Sequence, residues 1–174
     1  KAAMLKDWGS WDEDFKAVTR EIRERLVSLC KGEGEYDCVL MQGSGTFSVE
    51  AALASFIPKD GKALILMNGA YGQRSAKTLD YIGRDYIMLD KGDYLPPMPE
   101  EVEALLVANS DVTHVVVVHC ETSSGILNPV PEIADVVARH GRSLIIDSMS
   151  AFGAIPVDAQ QLPFDAIISS ANKC

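Results

Sequence analysis

Two short apolar runs late in the chain constrain its fold more than any other feature. Ser143-Leu144-Ile145-Ile146-Asp147 and Ala166-Ile167-Ile168-Ser169-Ser170-Ala171-Asn172-Lys173 each hold an apolar run rich in β-branched isoleucine, and the segments end at Asp147 and Lys173. Runs of this kind read as strands buried on both faces of a parallel sheet. Asp147 and Lys173 are therefore expected at the carboxyl ends of strands, where open α/β sheets bind their ligands.

The rest of the chain repeats the pattern. Ser10 is placed to cap a helix whose apolar positions Trp11, Phe15, Val18, Ile22, Leu26 and Leu29 fall at three- and four-residue steps. Tyr36 to Met41 reads as a strand, and Phe47 to Phe56 as a helix packed closely through its alanines. Strands follow at Ala63 to Met67, Asp85 to Leu89 and Val115 to Val118, and helices at Tyr71 to Ile82, Glu101 to Ala108 and Pro131 to His140. Alternation of apolar strands with helices predicts an α/β fold, a mostly parallel sheet flanked by helices. No repeat, low-complexity run or linker interrupts it.

The chain's 174 residues suffice for one domain with a sizeable core. Net charge is −9 with no basic stripe, which argues against nucleic acid and anionic membrane as partners. The longest apolar runs are strand-length, too short for a helical membrane span. No apolar signal region follows Lys1, and the absence of an initial Met suggests a chain that has been cut into. Cys30, Cys38, Cys120 and Cys174 are widely spaced, and His114, His119 and His140 show no ligand spacing. Zinc and a disulfide framework are both poorly supported, and a reducing cytoplasm is the expected location.

Chemistry-bearing residues gather after the strands. Gln42-Gly43-Ser44-Gly45-Thr46 combines glycines, hydroxyls and a helix start, which suit a phosphate. It lacks the ending of a nucleotide P-loop and the spacing of a hydrolase nucleophile elbow. In Asn68-Gly69-Ala70-Tyr71-Gly72-Gln73-Arg74, the Tyr71 ring sits between small residues and could lie flat on a planar ligand, or pack in the core. In His119-Cys120-Glu121-Thr122-Ser123-Ser124-Gly125, the hydroxyls could bind a phenolate or carboxylate, or simply cap a turn. Asp147 and Lys173 alone could be a surface salt bridge. With the other segments they describe a pocket for pyridoxal phosphate, which needs a lysine for its Schiff base and an acid to keep its ring nitrogen protonated.

These segments, with Trp11-Asp12-Glu13-Asp14 and Ser169-Ser170-Ala171-Asn172-Lys173-Cys174, resemble the class V aminotransferases of the fold-type I pyridoxal phosphate enzymes along essentially the whole chain. Within that family the likeness is to the enzymes acting on 2-aminoethylphosphonate and pyruvate. The resemblance implies that Lys173 forms the Schiff base and shuttles a proton, and that Asp147 pairs with the pyridine nitrogen. It implies that Tyr71 stacks on the ring, Met149 lines the other face and Thr122 reaches the 3-hydroxyl side. Ser44, Gly45 and Thr46 would bind the phosphate, with Asn172 assisting. The implied reaction moves the amino group of 2-aminoethylphosphonate to pyruvate, giving phosphonoacetaldehyde and alanine, in a homodimer.

The resemblance also implies that residues 1–174 are the cofactor-binding large domain alone, truncated before a small C-terminal domain that carries a substrate-gripping arginine. Partner-subunit residues completing the phosphate site would likewise lie outside the chain. Two other activities stay open. An alanine–glyoxylate or serine–pyruvate type enzyme would carry tryptophan where Tyr71 stands, and a cysteine desulfurase would carry histidine there. A truncated, non-catalytic domain is a further alternative.

Overall fold

An apolar run becomes a strand where neighbouring strands take up its backbone N–H and C=O groups. The computed structural model describes residues 2–173, apart from the side chain of Ala3. After a 3-10 turn at Ala2–Leu5 come α1 (Glu13–Leu29), α2 (Gly45–Phe56), β1 (Lys62–Met67), α3 (Ala70–Ile82), β2 (Asp85–Asp90) and α4 (Pro99–Ala108). The second half runs β3 (Val112–Val118), β4 (Cys120–Glu121), β5 (Ile126–Leu127), α5 (Val130–Arg139), β6 (Ser143–Asp147) and β7 (Ala166–Ile168). Five strands form a parallel sheet in the order β2-β1-β3-β6-β7. β4 and β5 make a small antiparallel hairpin beyond the end of β3.

Both faces of this sheet are covered, which is why consecutive strand positions are apolar. Leu64, Leu66, Val115, Val117, Leu144 and Ile146 share a core with Val102 and Leu106 of α4 and Ile133 and Val137 of α5. The alternate residues Ala63, Ile65, Val116 and Ile145 share a second core with Val49 and Leu53 of α2 and Leu79 of α3. The chain passes from β1 outward to β2, then returns through α4 to β3 on the other side of β1. The direction of winding thus reverses between β1 and β3, and the crevice at the carboxyl ends there is where such sheets take ligands.

Three expectations are corrected. Tyr36 to Met41 is not a strand: none of the described strands pairs with it, and Val39 is 82% exposed. Its Cys38 carbonyl accepts from Arg23 Nε at 2.8 Å, and the Tyr36 hydroxyl donates to the Phe164 carbonyl at 2.6 Å. The segment is thus tied down by side chains, without a ladder. In α1 the N-cap is Asp12 rather than Ser10, and no side-chain bond caps it. The apolar stripe of α1 makes a helix but finds no core: Leu29 is 56% exposed and no residue of α1 is buried, while Trp11, 83% exposed, falls before the helix. Finally, β7 ends at Ile168, where its pairing with Asp147 ends. Lys173 lies beyond the strand, after a turn in which its N–H donates to the Ser170 carbonyl at 3.3 Å.

Candidate functional site

At the switch point, two loops are locked together by buried polar groups. Asn68, just after β1, and Asn128, just after β5, exchange side-chain amide bonds of 2.8 and 3.2 Å. Asn128 Nδ2 also donates to the Val118 carbonyl at 2.7 Å, tying the pair to the end of β3. Each amide buries its donors with partners, so the pair fixes register at little cost.

Glu121 is fully buried and sits against the start of α3. Its carboxylate accepts from the backbone N–H of Tyr71 and Gly72, both at 3.2 Å. It also accepts from Ser123, through the N–H at 3.2 Å and the hydroxyl at 2.7 Å. Ser123 Oγ in turn accepts from the Ala70 N–H at 2.9 Å. A carboxylate here satisfies the free donors of a helix start and complements its positive end. Gly69 is required beside it, because a Cβ there would run into Glu121 and the Ser123 hydroxyl. The effect is to fix the backbone that carries Tyr71.

Tyr71, half-buried, lines a cavity of about 250 Å³. Ser44, Gly45 and Thr46 around the start of α2 line it together with Asp147 at the end of β6 and Met149 just beyond. Thr122, Asn172 and Lys173 complete the set expected from the sequence, so all of those residues face one cavity. Gly43, at φ 117°, turns the chain into the cradle, and the Ser44 hydroxyl accepts from the Phe47 N–H at 3.3 Å as the α2 cap. A Cβ on Gly45 would lie 2.5 Å from Met149 Sδ, so any larger residue there would have to displace the Met149 side chain from the cavity wall. Asn172 Oδ1 accepts from Ser170 Oγ at 2.6 Å, which shapes the turn leading to Lys173.

Asp147 is 4% exposed, and its carboxylate accepts one hydrogen bond among the described residues, from the Met149 N–H at 3.1 Å. Burial pushes its pKa up, and the neighbouring Glu121 adds to this, against the Met149 bond and Arg74. A carboxyl so placed is uncomfortable as an anion unless a cation or N–H is brought to it. Beside it, His119 is buried with Nδ1 3.0 Å from Ser148 Oγ, and burial lowers its pKa. That favours a neutral ring, in keeping with a core histidine.

Sequence reasoning passed over Arg74, Glu121 and the Asn68–Asn128 pair. Arg74 lines the cavity and donates to Thr46 Oγ1 at 3.2 Å. Glu121 carried a signal of the same kind as Asp147, a lone acid just beyond an apolar run. The asparagines carried none, since their partners are far apart in sequence. Of the hydroxyls after β3, Ser123 and Ser124 serve the loops, Ser124 donating to the Asn68 carbonyl at 3.2 Å. Thr122 faces the cavity.

The model of the class V aminotransferase family matches residues 2–174. The chain belongs to the class V aminotransferases. It is 62% identical, over its whole length, to the 2-aminoethylphosphonate–pyruvate transaminase of Rhizobium meliloti (strain 1021), and covers 46% of that protein. It is 58% identical to 2-aminoethylphosphonate–pyruvate transaminase 1 of Paraburkholderia xenovorans (strain LB400), covering 45% of it. The class V chain thus spans under half the length of these curated relatives. Among solved structures, it superposes on pyridoxamine–pyruvate aminotransferase from Mesorhizobium loti with a TM-score of 0.89 at 25% identity, over 97% of this chain and 43% of that one. The ureidoglycine–glyoxylate aminotransferase of Bacillus subtilis gives a TM-score of 0.90 at 24% identity, over 97% and 43% of the two chains, a likeness of fold.

Among the described residues of this class V domain, no cluster of acids, histidines and cysteines is arranged to hold a metal ion. No described helix is long and apolar enough to cross a membrane. Cys30, Cys38 and Cys120 are free thiols, and Cys174 lies outside the described residues.

Proposed function

We propose that the protein carrying this chain is a pyridoxal phosphate-dependent transaminase that moves the amino group of 2-aminoethylphosphonate to pyruvate, giving phosphonoacetaldehyde and alanine. Residues 1–174 would be the cofactor-binding part of its large domain, in a homodimer working in the cytoplasm. The observation that carries the reading is the 62% identity along the whole chain to a transaminase of that name. The cavity supports it, because its residues fit the cofactor. A buried carboxylate makes no ion pair among the described residues, a flat ring stands at the wall, and a glycine and hydroxyl helix start lines the same cavity.

When bound, the cofactor supplies a protonated pyridine ring that accepts electron density from the substrate's reacting carbon. Asp147 holds the ring nitrogen's proton, and that contact relieves the cost of its own buried charge. Lys173 Nζ would be the amine that holds the cofactor's aldehyde carbon, and it would also be the base placed to move the substrate's proton. Lys173 lies beyond the end of β7, on a turn shaped by Ser170 and Asn172. Tyr71 and Met149 would line the two faces of the ring, and Glu121 keeps the Tyr71 backbone in place. Ser44, Gly45 and Thr46 receive the phosphate at the positive end of α2, with Asn172 beside them and Thr122 toward the ring's 3-hydroxyl.

The test uses the complete polypeptide that carries the chain. Coupled assays compare 2-aminoethylphosphonate plus pyruvate with alanine plus glyoxylate, side by side. The expected outcome is a higher kcat/KM for the aminophosphonate pair. Equal or reversed values would transfer the assignment to an alanine–glyoxylate type enzyme.

A further inference from the structure

The cavity's balance of charge points to a residue that neither the sequence motifs nor the family assignment singles out. Asp147 lines the cavity, and the buried Glu121 lies near enough to act on Asp147. Among the described residues lining the cavity, only Arg74 and Lys173 are cationic. Lys173 is committed to covalent attachment in the proposed function, so it cannot also serve as a permanent counter-charge. Arg74 remains.

Its surroundings suit that task. Arg74 sits on α3 three residues after Tyr71, so the two side chains share a helix face. Its guanidinium carbon lies 4.9 Å from the centre of the Tyr71 ring, within cation–π range. Its Nη1 reaches across to α2 and donates to Thr46 Oγ1 at 3.2 Å. Among the described residues no carboxylate forms an ion pair with it, although the chain carries 25 acidic side chains. The guanidinium offers five N–H donors. The one side-chain hydrogen bond recorded for it goes to a hydroxyl of the expected phosphate cradle. A planar, permanently charged fork held against an aromatic face is well matched to a phosphate's oxygens.

We propose that Arg74 is the fixed cation of the phosphate site, binding the 5'-phosphate of the cofactor directly while its planar face rests on the Tyr71 ring. The proposal rests on the cofactor reading above. It adds a charge-bearing group to a cradle that otherwise consists of hydroxyls and backbone N–H groups. It also links the two cofactor contacts, because the side chain that meets the phosphate is the one that steadies the stacking ring.

The experiment separates phosphate recognition from ring recognition. Cofactor-free complete polypeptide is titrated with pyridoxal phosphate and, separately, with pyridoxal, which has the ring and aldehyde but no phosphate. Binding is read from the cofactor's absorbance, for wild type, R74Q and R74K. A hydrogen bond to a charged group predicts that R74Q weakens pyridoxal phosphate by about ten- to a hundredfold, and pyridoxal by less than about twofold. R74K keeps the charge without the fork and falls between wild type and R74Q for pyridoxal phosphate, again with pyridoxal unchanged. R74K also decides the matter if R74Q does not fold. Equal losses for both ligands would reduce Arg74 to a support for Tyr71, and no loss for either would remove it from the site. A rise confined to the KM for 2-aminoethylphosphonate at saturating cofactor would move its anion to the substrate. Each of these three results overturns the proposal. If the wild type bound neither pyridoxal phosphate nor pyridoxal, the cofactor reading itself would fail, which is a different result from a wild type that binds and an R74Q that binds equally.

Discussion

Asp147 shows how a functional residue costs the fold that holds it. The carboxyl is buried at the end of a central strand, and its pKa lies above the ordinary carboxylate range because burial penalises the anion. The native state then keeps a proton that the unfolded chain releases near pH 3.9. The sign follows. With the folded pKa raised, stability is highest below the unfolded value and falls as pH rises through the folded one. Asp147→Asn removes that falling limb. In cofactor-free protein its midpoint temperature should match wild type at about pH 3 and exceed it by a few degrees at pH 7, ~1 kcal/mol being worth about 2–4 °C for a chain of this size. Thermal scans across pH check it, and a constant difference at all pH values would mean that the charge is not the cause. Lys173 poses the opposite case. It is exposed, so Lys173→Ala should leave folding within about 0.5 kcal/mol of wild type. Turnover should drop by orders of magnitude, along with any borohydride-reducible link to the cofactor.

At the scale of elements, α3 is held by a buried acid rather than by a cap of its own. Gly69 at its N-cap offers no side chain, and Glu121 from the neighbouring hairpin supplies the missing acceptors. Removing that carboxylate strands buried donors at a helix start, and bonds to charged groups are worth about 1.5–3 kcal/mol. Glu121→Ala should therefore destabilise the complete protein by about 3 kcal/mol in urea unfolding. It should also raise the cofactor dissociation constant, because the backbone under Tyr71 loosens. Loss of stability with unchanged cofactor affinity would show that α3 stays in place without its acid. The α1 helix is the contrasting element. It has the period of a packed helix and no core to pack on among the described residues.

For the whole molecule that contrast has a consequence. Phe15, Val18, Ile22 and Leu29 on α1, with Val39, Leu40 and Met41, are exposed apolar side chains, the kind of surface that association covers. Expressed as residues 1–174, the chain should self-associate, as read by sedimentation at rising concentration. Phe15→Glu with Ile22→Glu should lower that association without altering the sheet. Unchanged sedimentation in the double variant would place the sticky surface elsewhere. The same polypeptide should turn over 2-aminoethylphosphonate at less than about a tenth of the rate of the complete protein. The chain spans under half of its relatives, and catalysis depends on holding reacting groups within about 0.5 Å.

What the sequence determined by itself was local and periodic. The apolar runs named the strands of a parallel sheet, because strands covered on both faces have no polar alternation to hide. The glycines and hydroxyls before α2, the acid ending β6 and the lysine after β7 could each be picked out, because each breaks such a run at its carboxyl end. What the tertiary structure decided depended on partners distant in the chain. Tyr36–Met41 has strand composition, but a strand exists only where another accepts its hydrogen bonds, and none of the described strands does. The stripe on α1 specified a helix, whereas burial depends on what stands opposite. Arg74, Glu121 and the Asn68–Asn128 pair gain their meaning from groups 28, 49 to 50 and 60 residues away. The winding order that puts β1 beside β3, and so brings the loops after them together, is a property of packing that no local pattern encodes.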